Sequence, residues 1–277
     1  MINLELDLVH KEMFMSNWLE TKRKLGKTEL YAGPLGFGAS YMAPAKSLEA
    51  AFEKGCNYFY WGALRNKGMK DAIRNIAAKG QREDLIVVIQ DFRRSPKGLE
   101  KSLVRGLKKG RLDYADVLLL GWHNHPPKPQ LMDAAGNLKE RGLYRYLGIS
   151  SHNRLLFPEL AQDDRFDIFH IRYNAAHRGA EQEIFPHLPE KRPGIVVFNA
   201  TRHASLIKSK KIPDSEKRPT AGDCYRFVLT NSCVDVAISG PSKTRYVEEN
   251  LMETANGPMT EEEMKWMRRV GDYVYGR

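Results

Sequence analysis

Residues 113–153 set a rhythm of apolar and polar positions that the rest of the chain repeats. Residues 117–120 form an unbroken apolar run, with charged residues before it and Pro126 and Pro127 after it. A run without alternation suits a strand buried on both faces, which requires a parallel sheet covered by helices. From 129 to 141 the pattern has helical length and stops at Gly142, a residue suited to the left-handed backbone just past a helix end. Residues 144–149 make a second short apolar strand. Strand, helix and strand in sequence is a βαβ unit, the crossover that parallel strands need.

Six further strand segments fit copies of this unit. Strands are predicted at 34–38, 56–60, 84–90, 166–171, 194–198 and 234–238, beside the two already described. Between them run helices that carry Leu48, Ala51 and Phe52 on one face, then 67–78, a helix opened by Ser95 and Pro96, 153–162, 179–188, 220–231 and 243–254. Ser95 is a natural N-cap with Pro96 at the first helical position, and Gly110 is expected to end that helix. Thr260 and Glu263 form a capping box for a final helix, with Met259 and Met264 at its staple positions and Trp266, Val270, Tyr273 and Val274 as its buried stripe. Residues 23–31 read as a hairpin turning at Gly26, and 1–22 as an arm outside the core. The polar, Lys-rich segment 201–219 is the candidate mobile loop.

Eight apolar strands separated by helices, with no composition break, predict a single (β/α)8 TIM-type barrel over residues 32–254, followed by a C-terminal helix at 259–277. In such a barrel chemistry sits at the C-terminal strand ends. Those positions are Tyr60, Gln90, Gly121, Ser150, His170, Phe198 and Ser239.

Composition then narrows the function classes. No apolar run reaches the ~18 residues of a membrane span, and the first residues lack the basic and apolar regions of a secretory signal. Cys56, Cys224 and Cys233 have no CxxC spacing, a usage that points to a reducing, cytoplasmic setting. The formal charge of +10 is scattered along the chain, which reads either as solvated faces or as attraction for phosphorylated ligands or nucleic acid. Nucleic acid is not expected, because no basic run is interleaved with aromatics. No metal site is expected, since the HxH at His123 and His125 stands alone.

The ordered set RKLGKTEL, LGFG, RLDYADVLLL, RYLGISS, RYN and VAISGPSKTRYVEENL resembles the aldo-keto reductase superfamily over roughly residues 23–251. The resemblance implies a barrel that binds extended NADP(H) and reduces aldehydes or ketones by hydride transfer. It implies cofactor contacts at Ser150, Ser151, His170 and Phe198, with Phe198 taking the place of a ring-stacking Tyr. The loop and helix that hold the adenosine phosphate match Ser239, Gly240, Ser242, Lys243, Arg245, Glu249 and Asn250. The family's phosphate-binding Lys and Arg fall on Gly240 and Tyr246, so Lys243 and Arg245 are the expected substitutes. The alternative for this stretch is an ordinary surface helix.

The family's catalytic tetrad is replaced at all four positions. By the same resemblance Tyr60 stands for the Asp, Arg65 for the Tyr acid, Gln90 for the Lys and Gly121 for the His. A buried Lys–Asp pair tolerates joint loss better than loss of one partner, and Tyr60 with Gln90 is a neutral hydrogen-bonding substitute. His123 is two positions beyond Gly121, and strand parity would carry it to the pocket mouth as a proton donor. A packing role is its alternative. Tyr58 is assigned to the opposite face from Tyr60. His152 and His203 show no partner pattern. Arg65 either docks an anion over the cofactor or turns to solvent. Two main readings follow: an NADP(H)-dependent oxidoreductase with a rebuilt site, or a catalytically inactive NADP(H)- or anion-binding protein on the same barrel. A lyase is the third, with no base–metal constellation to carry it.

Overall fold

The computed structural model describes residues 18–62 and 66–276. Most of the arm, and Arg65 with it, lies outside the described residues. A two-stranded antiparallel hairpin, β1 (Arg23–Lys24) and β2 (Tyr31–Ala32), precedes the barrel. Eight parallel strands then close on themselves: β3 (Leu35–Gly38), β4 (Tyr58–Trp61), β5 (Ile86–Asp91), β6 (Ala115–Leu120), β7 (Tyr144–Ser150), β8 (Ile168–Arg172), β9 (Gly194–Phe198) and β10 (Val236–Ser239). The expected barrel is present, with each predicted strand within two residues of its observed start.

Two apolar layers explain why the strands lack alternation. One side chain in two points inward, and Tyr58, Val88, Val117, Leu119, Ile168, Val196 and Val236 fill the barrel with Leu25 and Leu30 of the hairpin. The others point outward under the helices, as Phe37, Phe59, Val87, Leu118 and Phe169 do. The hairpin plugs the N-terminal end of the barrel. Gly26 takes φ +53 and passes so close to Gly194 that a Cβ there would collide with its backbone nitrogen.

The outer helices are α1 (Ala45–Glu53), α2 (Lys67–Ala78), α3 (Pro96–Gly110), α4 (Pro129–Glu140), α5 (Leu156–Leu160), α6 (Ala180–Glu183), α7 (Ser205–Lys208), α8 (Ala221–Leu229), α9 (Thr244–Thr254) and α10 (Glu261–Tyr275). Ser95 caps α3 through its hydroxyl, and the Thr260–Glu263 capping box opens α10. Trp266, Met267, Val270 and Val274 of α10 are buried, each side chain stabilising by ~1.5–3 kcal/mol.

Local expectations fail where tertiary contacts override propensity. The helix expected at 153–162 shrinks to α5, and that at 179–188 to α6 followed by a 3-10 turn at Phe185–His187. Gly110 stays helical and Arg111 takes the left-handed cap at φ +56. Tyr273 is 37% exposed, so it leaves the buried stripe of α10. The segment 201–219 is not a loose loop: it contains α7, buries Leu206 and Ile212, and is pinned by Arg218 donating to the carbonyls of Ser209 and Ile212. Cys56 is buried as expected but precedes β4 instead of lying in it. No helix among the described residues is long and apolar enough to cross a membrane.

Candidate active site

The C-terminal strand ends open onto a cavity of about 560 Å³. Tyr60, Ser150, His170, Phe198, Ile238 and Gly240 line it from the barrel, and Tyr41, Trp122, His152, His203 and Tyr225 from the loops and α8. A second depression, of about 340 Å³, is walled by charges already closed on one another, Arg154 with Glu183 and Arg268 with Glu181. Only the first combines apolar wall with convergent polar groups, the usual makeup of a ligand site.

Tyr60 and Gln90 meet as the sequence suggested. The Tyr60 hydroxyl donates to Gln90 Oε1, and burial pushes the phenol pKa up, so the pair is neutral. Gln90 Nε2 in turn donates to Ser150 Oγ at 3.5 Å, and the Trp122 amide donates to the same oxygen at 3.0 Å. Gly121 is part of this arrangement. A Cβ there would run into Gln90 Nε2 and stand 2.8 Å from the Phe92 ring. A Cβ at Gly62 would stand 2.7 Å from the Tyr60 hydroxyl. The Tyr–Gln pair therefore occupies the space that a side chain at 121 would need, and the replacements are sterically coupled.

His170 lies below, fully buried, with its Nε2 2.8 Å from the Tyr58 hydroxyl and the Tyr60 ring edge-on at 5.2 Å. Burial pushes its pKa down to about 3, which keeps the imidazole neutral. Tyr58 therefore faces the barrel interior beneath Tyr60, contrary to its assignment from the sequence. Residues two apart on a strand share a face.

His123 does not reach the cavity. β6 ends at Leu120 and Trp122 adopts φ +52, which breaks the strand parity used to place it. His123 is buried instead, its amide donating to Ser150 O at 2.9 Å and its Nε2 without a partner among the described residues. Burial, then the Arg94 charge, push its pKa down to about 4. Trp122, 56% exposed, takes the mouth in its place. It continues a row of rings: Phe92 to Trp122 at 4.9 Å, Trp122 to His152 at 6.1 Å, His152 to Phe198 at 5.7 Å. His152 and His203 both line the cavity, and His152 was within reach of a parity count, two residues beyond Ser150.

The expected cofactor positions divide. Ser150, His170, Phe198 and Gly240 face the cavity. Ser151 is turned into its own loop, accepting from the Asn153 amide at 2.8 Å and donating to Asn153 O at 3.1 Å. Ser239 is fully buried and accepts from Asn250 Nδ2 at 2.9 Å, so these two hold β10 against α9. Ser242, Lys243, Arg245 and Glu249 are exposed at the start of α9. Lys243 is its N-cap residue and supplies no side-chain cap, which leaves first-turn N–H groups for an anion. Arg245 lies along the Tyr246 ring at 4.7 Å and donates to its hydroxyl at 2.9 Å. No group of three potential metal ligands occurs among the described residues.

A nicotinamide dinucleotide fits what is present. Phe198 offers a ring at the cavity wall, Gly240 lies close under the Tyr41 ring where a Cβ would clash, and the uncapped α9 N-terminus stands beyond it with Lys243 and Arg245 exposed beside it.

Comparison with known proteins agrees with the geometry. The model of the aldo/keto reductase family matches residues 36–223. An uncharacterized oxidoreductase of Bacillus subtilis, YqkF, is 23% identical over 88% of this chain and 94% of its own. The L-galactose dehydrogenase of Arabidopsis thaliana is 25% identical over 83% of this chain and 86% of its own. The holo form of an aldo-keto reductase from Bacillus halodurans superimposes with a TM-score of 0.76 at 22% identity, covering 91% of this chain and 96% of that one. With the barrel, the cavity at its strand ends and a family match across most of the chain, this protein belongs to the aldo/keto reductase family.

Proposed function

We propose that this barrel is an NADP(H)-dependent oxidoreductase that acts on a small carbonyl compound through a non-standard site. The observation that carries it is the single cavity in which Tyr60, Ser150, His170, Phe198 and Gly240 converge. The bound nicotinamide would supply the hydride. Phe198 forms the wall for its ring. Ser150 accepts from both Trp122 N and Gln90 Nε2, so its own proton is left to donate into the cavity. First-turn amides of α9, with Lys243 and Arg245, hold the adenosine phosphate, which favours NADP(H) over NAD(H). Protons cannot come from Tyr60, committed to Gln90, nor from neutral His170. They fall to His152, His203 and Tyr41 at the mouth, the last two 3.5 Å apart. A small anionic substrate and a cytoplasmic setting belong to the same reading.

The neutral Tyr60–Gln90 pair favours one competing reading, a dinucleotide-binding protein without hydride transfer. General acid catalysis contributes ~10²–10⁴-fold and electrostatic stabilisation of the developing alkoxide a further ~10²–10³-fold, and neither has its usual residues here. Fluorescence titration should show NADPH binding more tightly than NADH, with the preference lost in Lys243→Ala/Arg245→Ala. Equal affinities, or none, would remove the cofactor assignment. Turnover of 4-nitrobenzaldehyde should be far below that of ordinary family members, and its complete absence with NADPH bound selects the binding protein.

A further inference from the structure

Arg172, the last residue of β8, rests on the reading that the barrel-mouth cavity is the ligand site. It pairs in register with Phe198 and stands two residues beyond His170, so its side chain leaves β8 on the face that both present to the cavity. It flanks the cavity without lining it. The side chain is half-buried, and its Nε is buried with no hydrogen-bond partner among the described residues. Burial, then the nearby guanidiniums of Arg154 and Arg202, hold its pKa below the ordinary arginine value, with only the Tyr275 phenol opposing them. Among the described residues no carboxylate is one of the groups that act on it.

Those two arginines are committed elsewhere. Arg154 grips Glu183 through two bonds of 2.7 and 2.9 Å, and Arg202 donates to the Val274 carbonyl at 2.7 Å. A partly buried guanidinium without a counter-charge among the described residues carries a desolvation cost, and such a group beside a cavity marks a candidate ligand contact. His152, which shares the Arg172 field, is held below its usual pKa by burial and then by that charge.

We propose that Arg172 receives the carboxylate of a small, planar carboxylic-acid substrate lying along the Trp122–His152–Phe198 edge of the cavity. The planar guanidinium fork matches a carboxylate through two parallel hydrogen bonds, and the row of rings offers a planar partner its faces and edges.

The test compares benzoate with its neutral near-isostere benzamide, by calorimetric titration of wild type, Arg172→Met and Arg172→Lys, each with and without NADPH. Wild type should bind benzoate at least tenfold more tightly than benzamide. Arg172→Met should lose that tenfold while keeping its affinity for benzamide and NADPH, and Arg172→Lys should keep part of it. Methionine removes an uncompensated charge, so Arg172→Met should melt no lower than wild type, and the lysine variant serves if it does not fold. Equal wild-type affinities, or a benzoate preference that survives in Arg172→Met, would overturn the proposal. So would loss of NADPH binding alone, which assigns Arg172 to the cofactor's phosphates, or inorganic phosphate binding as tightly as benzoate. If NADPH fails to bind wild type while the Arg172-dependent preference persists, the cofactor reading falls and this one stands.

Discussion

At the N-terminal ends of the strands, three carboxylates each accept a backbone N–H from the neighbouring strand while holding a cation. Asp116 takes Val87 N at 2.8 Å and Arg82 at 2.9 Å, Asp167 takes Leu147 N at 2.8 Å and Lys139 at 3.6 Å, and Asp235 takes Ile195 N at 2.7 Å and both terminal nitrogens of Arg192. At the C-terminal ends the pattern inverts. His123 Nε2 and Arg172 Nε are buried without partners among the described residues, and Met42, Trp122, Asn199, Arg202, His203 and Ala204 all adopt left-handed backbone. One end satisfies its polar groups and holds the strands in register. The other leaves polar groups and backbone in costly states, where strain and unspent hydrogen bonds accompany function. The hairpin plug closes the first end and the cavity opens the second.

The sharpest way to break this comparison is to exchange stability for binding at one end only. Asp235→Ala leaves Arg192 uncompensated and Ile195 N unpaired, and should lower unfolding free energy by ~3–5 kcal/mol, toward the lower figure because Arg192 is partly exposed. Urea denaturation measures that loss, and NADPH affinity should not change. A variant that unfolds normally but loses NADPH would reverse the assignment of the two ends.

Acid should act through the upper end. His170 and His123 have folded pKa values of about 3 and about 4, below the ordinary 6.5. Between those values and 6.5 the unfolded chain binds more protons than the folded one, so stability falls as pH drops from 6.5. Each histidine contributes up to ~1.4 kcal/mol per pH unit over its window. His170→Gln keeps a partner for the Tyr58 hydroxyl and should flatten the slope of stability against pH by one such share. An unchanged slope would mean that the lower-end carboxylates set the acid limit.

The smallest effect expected is relief of strain. Ala204 sits at φ +64 in the cavity wall. Ala204→Gly should stabilise the fold by about 0.5–1 kcal/mol, since glycine adopts that conformation without the Cβ clash. Thermal denaturation reads the gain, and a loss would show that the left-handed run 202–204 carries no strain.

Much of this was legible in the chain itself. The unbroken apolar runs, the Ser95 and Thr260 caps and the glycine at 142 act over a few residues, so they specified strands, helices and the barrel count without reference to anything distant. The meeting of Tyr60 with Gln90 also followed, because both are strand ends of adjacent strands. What the order of residues could not supply was direction at the strand exits. One left-handed residue, Trp122, turned His123 into the protein and itself into the cavity. One turn around Ser151 withdrew a hydroxyl expected there, and Ser239 and Asn250 were spent on each other. The collision that excludes a side chain at Gly121 joins residues 90, 92 and 121, and the setting of Arg172 depends on where Glu183 and Val274 draw Arg154 and Arg202. Hydrophobic period is a local property, whereas hydrogen-bond satisfaction is decided by which groups the closed barrel brings within 3 Å of one another.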